Sequence, residues 1–271
     1  MSLVVRYSLF GVAVTAAFVN FISCGSQMYK ASLAEDHAKG DADSENPDSP
    51  EFGLHAPMGW NKLPIVYSVE KGLTEVQVKA LQAAMTIWET AVGKQLFSFN
   101  PSPNPSGSSF PDLYSTLNDG FNGHYDVLNW KKTGKRAEVI ATAVWSNQGS
   151  DYRIISAADI EYNSELYYIS DALIHKQVDH REIVDMTSLA IHELGHLLGL
   201  AHVDEAYDRS SVMNPSLYIG AGLATRSLSI GDITRIQQIY GCEGKACDKE
   251  NTALSIMMAE KATKASSKTA H

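Results

Sequence analysis

His192-Glu193-Leu194-Gly195-His196-Leu197-Leu198-Gly199-Leu200-Ala201-His202 brings three histidines and a glutamate together within 11 residues. His192 and His196 are four residues apart, so on a helix they share one face and lie about 6 Å apart along its axis. Two imidazoles placed in this way can bind one metal ion, and Glu193 lies beside them without being needed as a ligand. The alternative is a helix whose histidines have no common role.

His202 can complete this site only if the chain turns after the helix. If the helix continued, His202 would lie about 15 Å further along the axis and about 80° away from the face that carries His192. Gly199 adopts a positive φ at no steric cost, and we therefore expect the helix to end there. Three imidazole ligands with a fourth position open to water are typical of a catalytic zinc site.

Such a site predicts hydrolysis of an amide bond. Zn²⁺ lowers the pKa of its bound water toward about 7 and polarises a carbonyl group. Glu193 is the expected general base, which takes a proton from the water and delivers it to the leaving amine. Nine residues after His202 begins Ser211-Val212-Met213-Asn214-Pro215. Met213 is expected to form an apolar floor beneath the three imidazoles.

These motifs resemble the metzincin clan of zinc metallopeptidases and, within it, the matrixins, the family of the matrix metalloproteinases and their bacterial relatives. The Ser-Val-Met-x-Pro turn is matrixin-like, as is the closing segment Asp232–Gly241. The resemblance covers residues 58–241 and is most specific at 185–215. It implies an α+β catalytic domain with one catalytic zinc ion, a mixed twisted sheet, a substrate-aligning edge strand, an active-site helix and a C-terminal helix.

The chain also departs from the families that it resembles, in ways that affect the metal site. Astacins and serralysins carry a tyrosine two residues after the methionine, where Pro215 stands here, so no fifth protein ligand is expected. No cysteine lies between Cys24 and Cys242, so a thiol on the zinc is not the expected means of latency. His124-Tyr125-Asp126 matches half of the structural zinc site of many matrixins, but Thr142 and Ala158 occupy the region where its other histidines are expected. Without an EF-hand-like loop, calcium binding has no support beyond the acidic composition.

The resemblance implies a cleft for an extended peptide. Ala157–Asn163 looks like the edge strand that aligns the substrate, which places Ala158 and Ile160 beside the peptide, because an open edge offers unpaired backbone groups. An internal strand with solvent-facing acids is the alternative. A pocket wall beside the metal is expected from Pro215, Leu217 and Tyr218. His175 and His180 lie in a polar loop and are not expected to bind metal.

The composition is that of one globular domain with tails. The 271 residues carry a net charge of −9, which argues against nucleic acid as a partner. We predict a monomeric peptidase domain at residues 58–247 that acts on protein or peptide substrates. Residues 24–57 are polar and acidic and are predicted to be a flexible tether, and residues 248–271 a disordered tail.

The amino terminus is typical of an export signal. Arg6 is followed by no charged residue until Lys30, and the apolar run up to Cys24 is short for a membrane span. Phe21-Ile22-Ser23-Cys24 resembles a bacterial lipoprotein cleavage box. We therefore predict a signal peptide at residues 1–23 and a lipid on Cys24 that anchors the exported protein in the cell envelope, facing the periplasm or the exterior. A plain secretory signal and an uncleaved anchor remain alternatives.

Local patterns predict the elements around the site. Thr74 and Gln77 form a capping box for a helix that ends at Gly93, Asp185 caps the zinc helix, and Ser229 or Asp232 caps the last helix. In an exported protein the close pair Cys242 and Cys247 predicts a disulfide, with two free thiols as the alternative.

Two other functions compete with a zinc-dependent endopeptidase. An envelope binding or adhesion lipoprotein could keep the zinc site without proteolysis, but it would not need Glu193. A zinc-storage module would not need the turn at Met213. Only the peptidase uses every part of the motif.

Overall fold

The computed structural model describes residues 29–32, 45–100, 119–175 and 179–269. The predicted signal peptide and lipidated Cys24 lie outside these residues, as does most of the polar loop that follows Asn100. Within the described part of the chain, no helix is both long and apolar enough to span a bilayer.

The first long helix, α1 (Glu75–Val92), begins and ends as the local sequence predicts. Thr74 and Gln77 form the capping box, and Gly93 ends the helix with a φ of 74°. Leu81, Met85 and Trp88 are buried on one face of α1. This face supplies much of the apolar core against which the rest of the domain packs.

The main sheet is mixed, as the α+β prediction requires. Its strands follow the spatial order β4 (Phe97–Phe99), β3 (Ile65–Val69), β5 (Gly123–Val127), β7 (Asp151–Asn163), β6 (Ala141–Gln148). The neighbours from β4 to β7 are parallel, whereas β6 runs antiparallel to β7. A short strand, β2 (Gly59–Trp60), pairs with the beginning of β7.

The prediction that Ala158 and Ile160 lie on the edge strand is wrong. Ile160 pairs with His124 of β5 on one side and with Ala143 of β6 on the other, so β7 is internal there. The alternative, an internal strand with solvent-facing acids, is confirmed in its internal position but wrong about the acids, because Asp159 and Glu161 are fully buried. The strand at this edge of the sheet is β6, whose outer side pairs with no strand of the described residues. Strand neighbours come from distant parts of the chain, and the local pattern of β7 does not reveal them.

The helix with the histidines, α2 (Met186–Leu197), is buried along its whole length. Asp185 caps it by accepting a hydrogen bond from the Ser188 backbone N–H. It follows β9 (Glu182–Asp185), which pairs with β8 (Tyr167–Ser170) in a separate two-stranded sheet. The Trp88 indole N–H of α1 donates to the Ile191 carbonyl at 2.9 Å, which ties the two helices together.

The last predicted helix, α3 (Ile230–Tyr240), packs its Ile233 and Ile236 into the same core. The choice between its two candidate caps is settled by geometry. Ser229 is the N-cap, and Asp232 is the third helical residue, which completes a reciprocal capping box. The predicted disulfide between Cys242 and Cys247 follows directly after this helix.

The amino-terminal side differs from the predicted tether. Residues 29–32 form β1 (Tyr29–Ser32), paired antiparallel with β10 (Ser216–Ile219). Leu54, His55 and Ala56 are buried, and Leu54 forms an isolated bridge with Leu200. These contacts are largely backbone hydrogen bonds. A polar segment can form them as well as an apolar one, so the composition does not predict them. The described domain therefore begins before residue 58.

The carboxyl-terminal segment is a helix, α4 (Lys249–Thr269), where the composition predicts a disordered tail. Lysine and alanine are good helix formers, so the same composition also suits a helix once part of it can pack. Thr252 and Ile256 are buried and provide that packing.

Candidate metal centre

The three histidines converge on one point. The Nε2 atom of His192 lies 3.0 Å from that of His196 and 3.2 Å from that of His202. Nitrogen ligands of a tetrahedral zinc ion, with bonds of about 2.0–2.1 Å, lie about 3.3 Å from one another. The three atoms therefore fit around one zinc ion. Among the described residues, these histidines form the single group of three or more side chains with metal-binding atoms close together.

Backbone carbonyls orient two of the rings. His192 Nδ1 donates to the Val212 carbonyl at 2.7 Å, and His196 Nδ1 donates to the Leu200 carbonyl at 2.8 Å. A proton on Nδ1 leaves the Nε2 lone pair available for a metal. This geometry assigns the same tautomer to both histidines, and it is the tautomer that binds zinc through Nε2.

Burial keeps the ligands neutral. It lowers the pKa of His192 well below its usual range, and the positive charges of His196 and His202 would lower it further. Burial also lowers the pKa of His202 to about 2, with a smaller contribution from His196. Neutral imidazole is the form that binds a metal, so no proton has to be displaced at physiological pH.

Gly199 makes the turn that the spacing requires. The helix ends at Leu197, and Gly199 has a φ of +107°. A Cβ atom at this position would lie 2.6 Å from the Ala56 carbonyl oxygen. Gly199 is therefore needed both for the backbone conformation and for the close approach of the segment that contains Ala56.

Met213 lies directly beneath the helix. A Cβ atom on Gly195 would be 2.3 Å from the Met213 sulfur, so only glycine allows this contact. The turn is held from α3 by Asp232, which accepts hydrogen bonds from the Ser211 hydroxyl and the Val212 N–H. The sequence alone does not reveal this role of Gly195, because its φ is ordinary and its partner lies 18 positions further along the chain.

Glu193 follows the first ligand and is buried. Its negative charge contributes, after the larger effect of burial, to a raised pKa of Tyr162 in β7. The carboxylate is therefore held in a low-dielectric region between α2 and the sheet, where its charge is weakly screened.

The other histidines and the aspartate considered as ligands do not belong to this group. His124 Nδ1 lies 3.1 Å from the Tyr162 hydroxyl, and burial lowers the pKa of His124 to about 3. The Asp126 carboxylate accepts a hydrogen bond from the Ser164 hydroxyl. His175 Nδ1 lies 2.6 Å from the Ser170 hydroxyl, and His180 is exposed.

The predicted pocket wall is partly assembled. Leu217 and Tyr218 of β10 line a cavity of about 170 Å³, together with Val212, Asn214 and Thr225. Pro215 precedes the strand and is exposed. Ala158 and Ile160 are buried, and β6 pairs with β7 at both residues, so they do not offer a free edge.

Comparison with known proteins agrees with the geometry. The family model of the matrixin peptidases matches residues 118–241, which include all three histidines, Glu193 and Met213. Over these residues, the chain is matrixin-like. The matrixin family implies zinc-dependent peptidase activity on proteins or peptides, and His192, His196 and His202 form a group that could hold the metal.

Other comparisons add little. No curated protein is similar enough in sequence to be a match. One similar solved structure is high choriolytic enzyme 1, a hatching enzyme zinc-protease from Oryzias latipes (Medaka fish), with 14% sequence identity and a TM-score of 0.33. The similarity covers 69% of this chain and 96% of that one. A likeness this weak carries no argument about this chain.

Proposed function

We propose that the protein is a zinc-dependent endopeptidase that hydrolyses peptide bonds of protein substrates, with Glu193 as its general base. The observation that carries this proposal is the convergence of three histidines: His192 Nε2 lies 3.0 Å from that of His196 and 3.2 Å from that of His202. The helix that carries the first two also bears the buried Glu193. A structural or storage site would have no use for that glutamate.

The chain's own residues account for the proton transfers. A zinc ion bound to the histidines supplies a Lewis acid, which polarises the scissile carbonyl and acidifies water. Glu193 accepts one proton from the attacking water as the new C–O bond forms. The same carboxyl group then donates that proton to the amide nitrogen as the C–N bond breaks. The products are a carboxylic acid and an amine.

The substrate is proposed to bind as an extended chain along β6. Among the described residues, the outer side of this strand pairs with no other strand, and backbone hydrogen bonds to such an edge give affinity without selecting a sequence. The cavity beside Leu217 and Tyr218 is proposed to receive one substrate side chain.

The location of the protein is also a proposal. The apolar run before Cys24 and the lipoprotein-like box support export and attachment of a lipid to Cys24. With the domain starting before residue 53, the segment between lipid and domain is shorter than the predicted tether. Mass spectrometry of the mature amino terminus tests this assignment directly, because a chain that starts at another residue or carries no lipid contradicts it.

The test of the mechanism is Glu193→Ala in the full chain. We expect casein cleavage to fall about 10²–10⁴-fold, because the proton transfers lose their base, while the zinc content stays at one ion per chain. Glu250→Ala, at an exposed position of α4, is the matched control and should cleave casein at the wild-type rate. Unchanged cleavage by Glu193→Ala would contradict the mechanism. A wild-type protein that binds zinc and cleaves nothing would favour the binding lipoprotein instead.

A further inference from the structure

The segment before the predicted domain is attached to the turn between the second and third histidines. The His55 and Ala56 N–H groups both donate to the Gly199 carbonyl, at 2.9 and 3.1 Å. In return, the Ala201 N–H donates to the Gly53 carbonyl at 2.9 Å. The segment Gly53–Ala56 therefore holds both sides of the glycine that directs His202 back toward the site.

The side chain of His55 reaches the second ligand itself. Its Nε2 atom lies 2.7 Å from the carbonyl oxygen of His196 and, by this geometry, carries the donated proton. The His196 carbonyl also accepts a hydrogen bond from the Gly199 N–H at 2.9 Å, so His55 adds a second donor to this oxygen at the end of α2. His55 is 7% exposed, and this hydrogen bond is shielded from competing water.

One face of the His55 ring contacts β6, the strand at the edge of the sheet. It stacks on the Trp145 indole of β6, with ring centroids 3.9 Å apart and planes inclined by 22°. One ring thus touches the backbone of a proposed metal ligand and a side chain of the proposed substrate strand.

Two neighbouring donors show what is particular to His55. The Trp60 indole N–H donates to the Leu197 carbonyl at 2.7 Å, and the Tyr240 hydroxyl donates to the Leu198 carbonyl at 2.9 Å. Both satisfy carbonyls at the same helix end, but neither accepting residue is a ligand. His55 differs in two ways. Its side chain donates to the backbone carbonyl of His196, a proposed ligand, and its own backbone N–H donates to the Gly199 carbonyl in the turn.

We propose that His55 is a positioning residue for the metal site, which fixes the backbone of His196 and the turn to His202. It contacts neither metal nor substrate and acts through those two ligands. This inference rests on the proposed zinc site, and it places the amino-terminal boundary of the functional unit before Gly53.

The experiment compares metal binding by four full-length proteins: wild type, His55→Phe, His55→Gln and Trp60→Phe. Zn²⁺ affinity is measured by competition with a chromophoric chelator, and site geometry by the visible spectrum of the Co²⁺ form. His55→Phe keeps an aromatic ring but loses the donor, so we expect about tenfold weaker Zn²⁺ binding and an altered Co²⁺ spectrum. His55→Gln restores a donor and should return affinity to within about threefold of wild type.

Trp60→Phe separates positioning from general helix stability. It removes a hydrogen bond of the same length to the next carbonyl, so its melting temperature should fall while its Zn²⁺ affinity stays within about twofold of wild type. Wild-type affinity in His55→Phe, or equal weakening in His55→Phe and Trp60→Phe, overturns the proposal. If His55→Phe does not fold, the test rests on the Co²⁺ spectrum of His55→Gln. An altered spectrum in that variant also overturns the proposal. A wild-type chain that binds no Zn²⁺ would instead refute the proposed function.

Discussion

The two ends of α2 are held by opposite kinds of chemistry. At the amino-terminal end, the buried Asp185 carboxylate accepts from the Ser188 N–H and pairs with the Arg226 guanidinium. Arg226 also pairs with Asp171 at 2.7 Å. At the carboxyl-terminal end, which bears the ligands, neutral donors satisfy three successive carbonyls, and these donors are His55, Trp60 and Tyr240.

This difference follows from where the metal lies. A carboxylate at the positive end of the helix dipole is favourable, and Arg226 offsets the cost of burying it. A lysine or arginine would also suit the negative end of the dipole, but its charge would repel a divalent cation held by the same turn. Neutral donors stabilise that end without raising the positive charge beside the metal.

The largest expected effect is on the charged end. Arg226→Met leaves Asp185 and Asp171 without their cation, and breaking a buried pair in this way costs about 3–5 kcal/mol. Chemical denaturation should show this loss of unfolding free energy, while the folded protein keeps its Zn²⁺ affinity. Arg153→Met, which breaks the exposed pair with Asp151, is the control and should cost less than about 1 kcal/mol. Equal losses in the two variants would remove the distinction between the ends.

A smaller effect is expected at the point where the helix meets Met213. Gly195→Ala introduces a Cβ atom 2.3 Å from the Met213 sulfur, and overpacking of this kind costs about 1–3 kcal/mol. The double variant Gly195→Ala/Met213→Ala makes room for the new methyl group. Its loss should therefore be less than the sum of the single losses, as measured by chemical denaturation. Strict additivity would show that the two residues do not touch.

The smallest effect concerns a buried histidine outside the metal site. Burial lowers the pKa of His124 from 6.5 to about 3, so the folded state binds this proton less readily than the unfolded state. The stability from neutral His124 is present above pH 6.5 and is lost as the pH falls toward 3. Between pH 7 and 5.5 the loss is about 1 kcal/mol.

The measurement is the free energy of unfolding of wild type and His124→Gln at both pH values. The nearby Asp126, whose pKa burial raises to about 6, remains in both proteins, and so do the three ligand histidines. The difference between the two pH dependences therefore isolates His124. Parallel curves would contradict the assigned pKa.

The parts of the site that could be predicted are those whose chemistry fits a fixed local spacing. The three ligands, Glu193, Met213 and the turn at Gly199 fall within 22 residues, and helix geometry constrains them strongly. The capping box at Thr74 is equally local, and the structure confirms it.

The parts that could not be predicted depend on distant partners. The edge position of β6 depends on which strands flank it, and those pairings join residues far apart in sequence. The role of Gly195 depends on Met213, and that of His55 on the carbonyl of His196, 141 positions away. Backbone hydrogen bonds use groups that every residue carries, so the segment Gly53–Ala56 has no signature in its composition.

We propose that one zinc ion on His192, His196 and His202 makes the protein a peptidase. The most direct measurement is casein cleavage by the full chain before chelation, after removal of the metal, and after Zn²⁺ is restored. We expect cleavage to disappear with the metal and to return in full at one Zn²⁺ per chain. Cleavage at an undiminished rate in metal-free protein would contradict it.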